Sequence, residues 1–330
     1  MKYRTLGQGL EVSAIGIGCM PMVAGGNIVY GEANADDAIE TIHRAIDLGV
    51  TFFDTAEIYG PFQNEELVGR AIRGKRDKLV IATKFGFAFE GDQITGADSS
   101  PANIRRACEA SLGRLGIETI DLFYQHRVDP SVPIEDVVGT MADLKAEGKI
   151  RHLALSEAGE ETLRRAHATH PITALQSEYS LWERGVEDGI LPACEELGIG
   201  FVPYSPLGRG FLTGNFRSRD DLAENDWRRQ DPRWSEENFD ANLAIVDVIR
   251  KVADRNGASV AQVALAWLIA QGDHIVPIPG VKRIATMSDS VAAAELELSD
   301  ADLAELSEAV PPGAAQGPRY SERGMRMVRL

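Results

Sequence analysis

The chain has 330 residues, long for one ordinary domain but common for a single-domain barrel. Hydrophobic residues make up 44% of it and charged residues 25%, an ordinary globular balance with apolar material for a core. Its 34 Lys and Arg against 50 Asp and Glu leave a formal net charge of −16; such a surface repels phosphate backbones and anionic lipid, which argues against nucleic-acid and membrane partners but admits a phosphorylated small molecule at a local cation cluster.

An opening strand is expected over 14–18. From residue 36 the pattern alternates helix and short buried strand, the signature of βα units and a parallel sheet. A helix over 36–48 places Ala38, Ile39, Ile42, Ala45 and Ile46 on one face and stops at Gly49. A strand over 51–54, a helix over 64–72 and a strand over 79–84 follow. Ser100-Pro101 gives a cap with proline at the first helical position, opening a helix to about residue 115. The alternation continues with a strand at 120–125, a helix at 133–147 ended by Gly148, and a strand at 150–155. A helix at 160–167, a strand at 174–176, a helix near 191–197 and a strand at 200–204 come next. After a long connection, 205–273, with helices expected over 239–256 and 259–270, a last strand lies near 275–278. Eight buried strands with interleaved helices fit a closed (β/α)8 barrel better than an open sheet, and 1–330 is expected to be one domain. The stretch after Pro311 reads as loop.

In such a barrel chemistry sits at the C-terminal ends of the strands. Those ends are Gly18, Asp54, Lys84, His126, Ser156, Gln176 and Tyr204, and the last strand leads into Pro279-Gly280-Val281-Lys282-Arg283. A ring of polar or titratable side chains after apolar runs reads as an active site. Four residues suit the reduction of a carbonyl, whose oxygen gains negative charge and needs a proton as hydride arrives. Tyr59 can donate that proton; a free tyrosine titrates near ~10, so a cationic neighbour is needed to lower its pKa. Lys84 can supply the charge, Asp54 can hold Lys84, and His126 can donate a hydrogen bond to the carbonyl oxygen. Each also has a plainer reading: Asp54 as a turn brace, Tyr59 as packing, Lys84 reaching solvent, His126 as a structural strand end.

The block Phe53-Asp54-Thr55-Ala56-Glu57-Ile58-Tyr59-Gly60, followed by Ile81-Ala82-Thr83-Lys84 and Tyr124-Gln125-His126, resembles the aldo-keto reductase family over almost the whole chain. It is most similar to bacterial and plant oxidoreductases sharing Tyr-Gln-His-Arg-Val-Asp-Pro (124–130) and Leu-Gln-Ser-Glu-Tyr-Ser (175–180). The resemblance implies reduction of aldehydes or ketones with NADP(H), in preference to NAD(H), by a tetrad of Asp54, Tyr59, Lys84 and His126. It also implies that Ser156 and Gln176 bind the nicotinamide amide and that Tyr204 stacks on its ring. Ser205, Pro206, Leu207 and Arg209 would wrap the pyrophosphate, and Gly280, Lys282 and Arg283 would meet the adenosine end and its 2′-phosphate. Asp289 and Ser290 stand where many members place Glu-Asn to hold the adenine, Glu157 stands where many have Asn, and Val281 where many have Thr.

Other patterns point elsewhere. Gly69 to Lys75 matches most of a phosphate-cradling loop but continues with Arg76 and ends a helix instead of opening one. Gly16-Ile-Gly18 lacks the third glycine of a dinucleotide fingerprint, and no Tyr-x-x-x-Lys occurs. The separated cysteines, Cys19, Cys108 and Cys194, imply neither a disulfide scaffold nor a zinc ribbon, and His167 and His170 lack a third ligand, so no metal site is expected. Residues 1–12 hold no apolar signal core, and 259–270 is too short to span a bilayer, so a cytoplasmic location is expected. Two rivals remain: an aldolase forming a Schiff base on Lys84, and an NADPH-binding redox sensor with little turnover, since the resembling family includes ion-channel β subunits. Tyr30, Phe87, Trp182, Trp227 and Trp234 are candidates for a pocket that would favour an aromatic or apolar carbonyl compound, with core packing as the alternative. Oligomeric state is not readable.

Overall fold

The computed structural model describes residues 1–23 and 33–329. A short antiparallel hairpin opens the chain, β1 (Tyr3–Thr5) with β2 (Glu11–Ser13). The parallel units begin with β3 (Ile17–Gly18), α1 (Ala35–Asp47), β4 (Phe52–Asp54), α2 (Gln63–Ile72) and β5 (Val80–Phe85). A second antiparallel hairpin, β6 (Phe87–Glu90) with β7 (Gln93–Ala97), then interrupts the alternation. It resumes with α3 (Pro101–Leu115), β8 (Ile120–Gln125), α4 (Ile134–Ala146), β9 (Ile150–Ser156), α5 (Glu160–Thr169), β10 (Ala174–Glu178), α6 (Ile190–Leu197) and β11 (Gly200–Tyr204). The long connection holds short helical turns as far as Trp234, then α7 (Glu236–Asn256) and α8 (Val260–Ile269). Three helices follow: α9 (Ile284–Ala292), α10 (Asp300–Ala309) and α11 (Glu322–Met325). Local signals set several boundaries. The Asn34 side chain accepts from the N–H groups of Asp36 and Asp37, Ser100 accepts from Asn103 with Pro101 behind it, and Gly116 closes α3 at φ 65°.

Seven strands pair in parallel in the order β3-β4-β5-β8-β9-β10-β11. The expected eighth strand does not form a regular ladder, yet it closes the cylinder on both sides. Val276 and Ile278 donate to the carbonyls of Phe201 and Pro203, while Gly16 and Gly18 donate to the carbonyls of Pro277 and Pro279. Pro277 and Pro279 have no N–H to return, so the seam with β3 runs in one direction until the Val281 N–H reaches the Gly18 carbonyl. The fold is a closed (β/α)8 barrel.

Strand side chains alternate between the barrel lumen and the surrounding helices. Phe52, Ala82, Leu122, Tyr124, Ala154, Ala174, Val202, Val276 and Ile278 fill the lumen in one cluster, joined by Leu6, Leu10 and Val12 from the first hairpin. That hairpin plugs the N-terminal end, where the Gly7 N–H donates to the Thr173 carbonyl at 3.0 Å. Gly200 makes space for it, since a Cβ there would lie 2.7 Å from the Leu6 Cβ. The neighbouring Phe53, Ile81 and Phe123 face outward into the two larger clusters beneath the helices. Among the described residues no helix is long and apolar enough to cross a membrane.

The hairpin closes the N-terminal end of the barrel and leaves the C-terminal ends of the strands uncovered by it. Leu6 is 2% exposed, so Leu6→Ala should lower unfolding free energy by about 2–5 kcal/mol in a denaturant titration; an unchanged midpoint and slope would show that the hairpin is not part of the cooperative fold.

Candidate active site

The lumen series that begin with apolar residues end in polar or titratable ones: Phe52 leads to Asp54, Ala82 to Lys84, Ala174 to Gln176 and Val202 to Tyr204. Parallel register sets them side by side, Asp54 beside Ala82, Lys84 beside Tyr124, Gln176 beside Ser156 and Glu178 beside Tyr204. The site is therefore the uppermost layer of the barrel interior.

Lys84 lies fully buried at its centre. Its ammonium pairs with Asp54 Oδ1, donates to the Thr55 carbonyl at 2.8 Å and lies 3.3 Å from the Tyr59 hydroxyl, which accounts for its three donors. The second Asp54 oxygen accepts from Gln176 Nε2 at 2.8 Å. Tyr59 stands on the turn after β4, edge-on to the His126 ring at 5.9 Å between centroids and 84°. His126 follows β8 and is fixed by its N–H to the Phe85 carbonyl at 2.8 Å; Phe87 covers its other side at 5.3 Å. The structure thus brings together all four residues of the expected tetrad.

Burial works against the charge on Lys84, but Asp54 and Tyr59 hold its pKa above the usual lysine value, so it is a cation. Burial likewise pushes Asp54 up, against the pull of Lys84 and Gln176. For Tyr59 the balance differs from the sequence expectation. Lys84 does lower its pKa, but burial outweighs that pull and the net direction is upward. The phenol is kept protonated and close to a cation, the state of a proton donor. Burial, Arg127 and Lys84 drive His126 well below its ordinary value, so its imidazole is neutral.

The expected cofactor residues fall into three groups. Ser156 and Tyr204 lie beside the tetrad and are bridged by Arg127, which donates to Ser156 Oγ at 3.2 Å and to the His126 carbonyl at 2.7 Å and lies 5.9 Å from the Tyr204 ring. Ser205, Pro206 and Leu207 form the turn after β11, with Ser205 in the left-handed region at φ 48°. Arg209 is engaged differently: it pairs with the buried Asp231, lies 3.3 Å from Glu178 Oε2 and stacks on Tyr320 at 4.5 Å. At the exit of the eighth strand, Gly280 and Arg283 are exposed and Lys282 half-buried. Burial, and then the nearby Arg283 and Arg228, push the Lys282 pKa down. Asp289 instead accepts from Ser259 and Gln262 at the start of α8, at 2.9 and 2.8 Å, and Ser290 is buried on α9.

Of the aromatic candidates, Trp182 and Trp234 belong to the core, packed around Phe211, whereas Phe87 borders His126. Trp227 is half-buried against Arg209, and Tyr30 lies outside the described residues. Sequence reasoning assigned no role to Arg127, Arg319 or Tyr320. Arg127 sits inside the block 124–130 and was detectable there as a cation one residue past His126; nothing in the sequence marks the other two. The Gly69–Lys75 pattern is a helix end, where a Cβ at Gly69 would meet the Leu115 carbonyl at 2.6 Å. Among the described residues no cluster of three His, Cys, Asp or Glu is placed to hold a metal ion.

Residues 14–311 match the model of the Aldo/keto reductase family. The chain belongs to that family. A relative from Glycine max, described as probable aldo-keto reductase 1, is 48% identical over 314 residues, covering 95% of this chain and 90% of its own length. Among solved structures, the glycerol dehydrogenase AKR11B4 from Gluconobacter oxydans superposes with a TM-score of 0.85 at 30% identity, over 94% of this chain and 96% of its own. An aldo/keto reductase from Klebsiella pneumoniae, solved in complex with NADP and acetate, gives 0.73 at 29% identity over 97% and 99%. The protein is an oxidoreductase of the class that reduces carbonyl groups.

One further carboxyl group of this aldo/keto reductase titrates near neutrality. Glu57, 4% exposed, accepts the N–H of Gly86 at 3.2 Å, and burial together with Glu65 pushes its pKa up to about 7. Its proton is bound more tightly in the folded than in the unfolded chain, so its favourable contribution is complete below the unfolded carboxyl value and lost as pH rises toward 7. Glu57→Gln should leave stability at pH 4 nearly unchanged and raise it at pH 8 by roughly 1–3 kcal/mol. Thermal unfolding across that range checks this, and parallel curves for the two proteins would refute it.

Proposed function

We propose that this chain, acting as one domain over 1–330 in the cytoplasm, reduces aldehydes or ketones to alcohols with NADPH, with Tyr59 as the proton donor. The observation that carries the reading is the Tyr59 hydroxyl 3.3 Å from an ammonium that Asp54 and the Thr55 carbonyl hold in place. The residues present suit the cofactor: Ser156, Gln176 and Tyr204 flank the tetrad, and Lys282 and Arg283, with Arg228 close enough to perturb Lys282, form a cation cluster for a 2′-phosphate. Gln176 directs its N–H to Asp54, so its oxygen is the atom that would accept from a carboxamide. NADPH, when bound, supplies the hydride. Tyr59 passes its proton to the substrate oxygen as negative charge develops there. Lys84 stabilises the phenolate left behind, and neutral His126 orients the carbonyl by donating a hydrogen bond. Phe87 beside His126 provides apolar surface suited to an aromatic or apolar substrate.

A Schiff-base role for Lys84 requires a neutral amine, and both its raised pKa and its partners work against that. Tyr59→Phe should lower the rate of carbonyl reduction about 10²–10⁴-fold while NADPH still binds. Lost binding would mean that Tyr59 serves the cofactor instead, and tight binding without turnover in the wild type would favour a sensor. Replacing Lys282 and Arg283 together by Ala should weaken NADPH roughly tenfold, about 1.4 kcal/mol, and leave NADH nearly unaffected. Equal losses for both cofactors would remove the 2′-phosphate role.

A further inference from the structure

The segment after α10 carries two side chains to the Tyr204 hydroxyl. Arg319, 4% exposed, pairs with Glu157, donates through Nε to Glu178 at 3.1 Å and through Nη2 to the Tyr204 hydroxyl at 3.0 Å. The Tyr320 hydroxyl lies 2.7 Å from that same Tyr204 oxygen, and Tyr204 donates to Glu157 Oε1 at 2.8 Å. A phenol has one donor and two acceptor positions. Since the Tyr204 proton goes to the carboxylate, Tyr320 must be a donor in the phenol–phenol bond. Every position on the Tyr204 hydroxyl is then filled, two of the three from this one segment.

The surrounding geometry supports more than simple anchoring. Glu157 adopts φ 55°, a left-handed conformation unusual for a residue with a long side chain, and is wholly buried. Its carboxylate also accepts the Glu178 N–H at 3.1 Å. Arg319 and Arg127 outweigh burial and hold the Glu157 pKa below the ordinary range, so an anion stands at the end of the Tyr204 ring. Arg209 fixes the segment in turn, donating to the Arg319 carbonyl at 2.9 Å.

We propose that Arg319 and Tyr320 are positioning residues for the cofactor's nicotinamide, acting through Tyr204 by holding its ring in one orientation. The inference rests on the reading of Tyr204 as the surface on which the nicotinamide stacks. The test compares NADPH with adenosine 2′,5′-bisphosphate, a fragment that reaches the phosphate cluster but carries no nicotinamide. Tyr320→Phe removes one hydroxyl and should weaken NADPH binding roughly 3- to 10-fold, leaving the fragment's affinity unchanged. Arg319→Met should do the same more strongly, and Arg319→Lys should restore part of the loss. Should Arg319→Met fail to fold, Tyr320→Phe carries the test alone. Equal weakening of both ligands, or of neither, would overturn the proposal. Tyr204→Ala in the same assay separates the two levels. If it leaves NADPH binding intact, the reading of Tyr204 fails and this inference with it. If it weakens NADPH while Tyr320→Phe does not, the inference alone fails.

Discussion

The Asp54–Lys84 ion pair is the constraint around which the top of the barrel is arranged. Two charges at a site with no exposure of Lys84 and almost none of Asp54 are tolerable only when both are fully partnered. The partners define the site: the Thr55 carbonyl and the Tyr59 hydroxyl on one side, Gln176 on the other. Removing either charge would leave its partner buried and unpaired, at about 3–5 kcal/mol. Well-packed apolar side chains of similar volume are often as stabilising as such a pair, or more so. What the pair provides is a protonated phenol held beside a fixed cation.

A second set of buried charges frames the first. Glu157, Glu178, Glu183 and Asp231 interlock with Arg209, Arg233 and Arg319, joining the ends of β9 and β10, the turn after β11 and the segment following α10. The chain carries a large negative net charge, yet here acids and arginines are matched side by side. Within the barrel the apolar lumen lies below Asp54, Lys84 and Tyr204, and the ionic framework packs around the Tyr204 end.

Much of this was legible in the sequence because it depends on local pattern. The buried strands ending in Asp54, Lys84 and His126 follow from apolar runs bounded by polar residues, and the barrel from their alternation with helices. The eighth strand was placed correctly, though Pro277 and Pro279 keep it from pairing as a regular ladder. The two hairpins were not legible, since β1 and β2 are three residues each and β6–β7 interrupts an expected helix–strand alternation. Trp182 and Trp234 carry no sequence mark separating core from pocket. The direction of the Tyr59 pKa depends on how far burial outweighs one cation, a comparison that needs the enclosed geometry. Arg319 and Tyr320 lie more than a hundred residues from Tyr204, so no spacing rule connects them.

The most direct test of the central claim is the rate of NADPH consumption with an aromatic aldehyde in Lys84→Met beside the wild type, with NADPH affinity measured on both. If the ammonium sustains proton donation by Tyr59, the variant should fold and bind NADPH while turnover falls by at least about 100-fold. Turnover near the wild-type rate in a folded variant would contradict the account, because the phenol would then donate its proton without the cation around which the site is built.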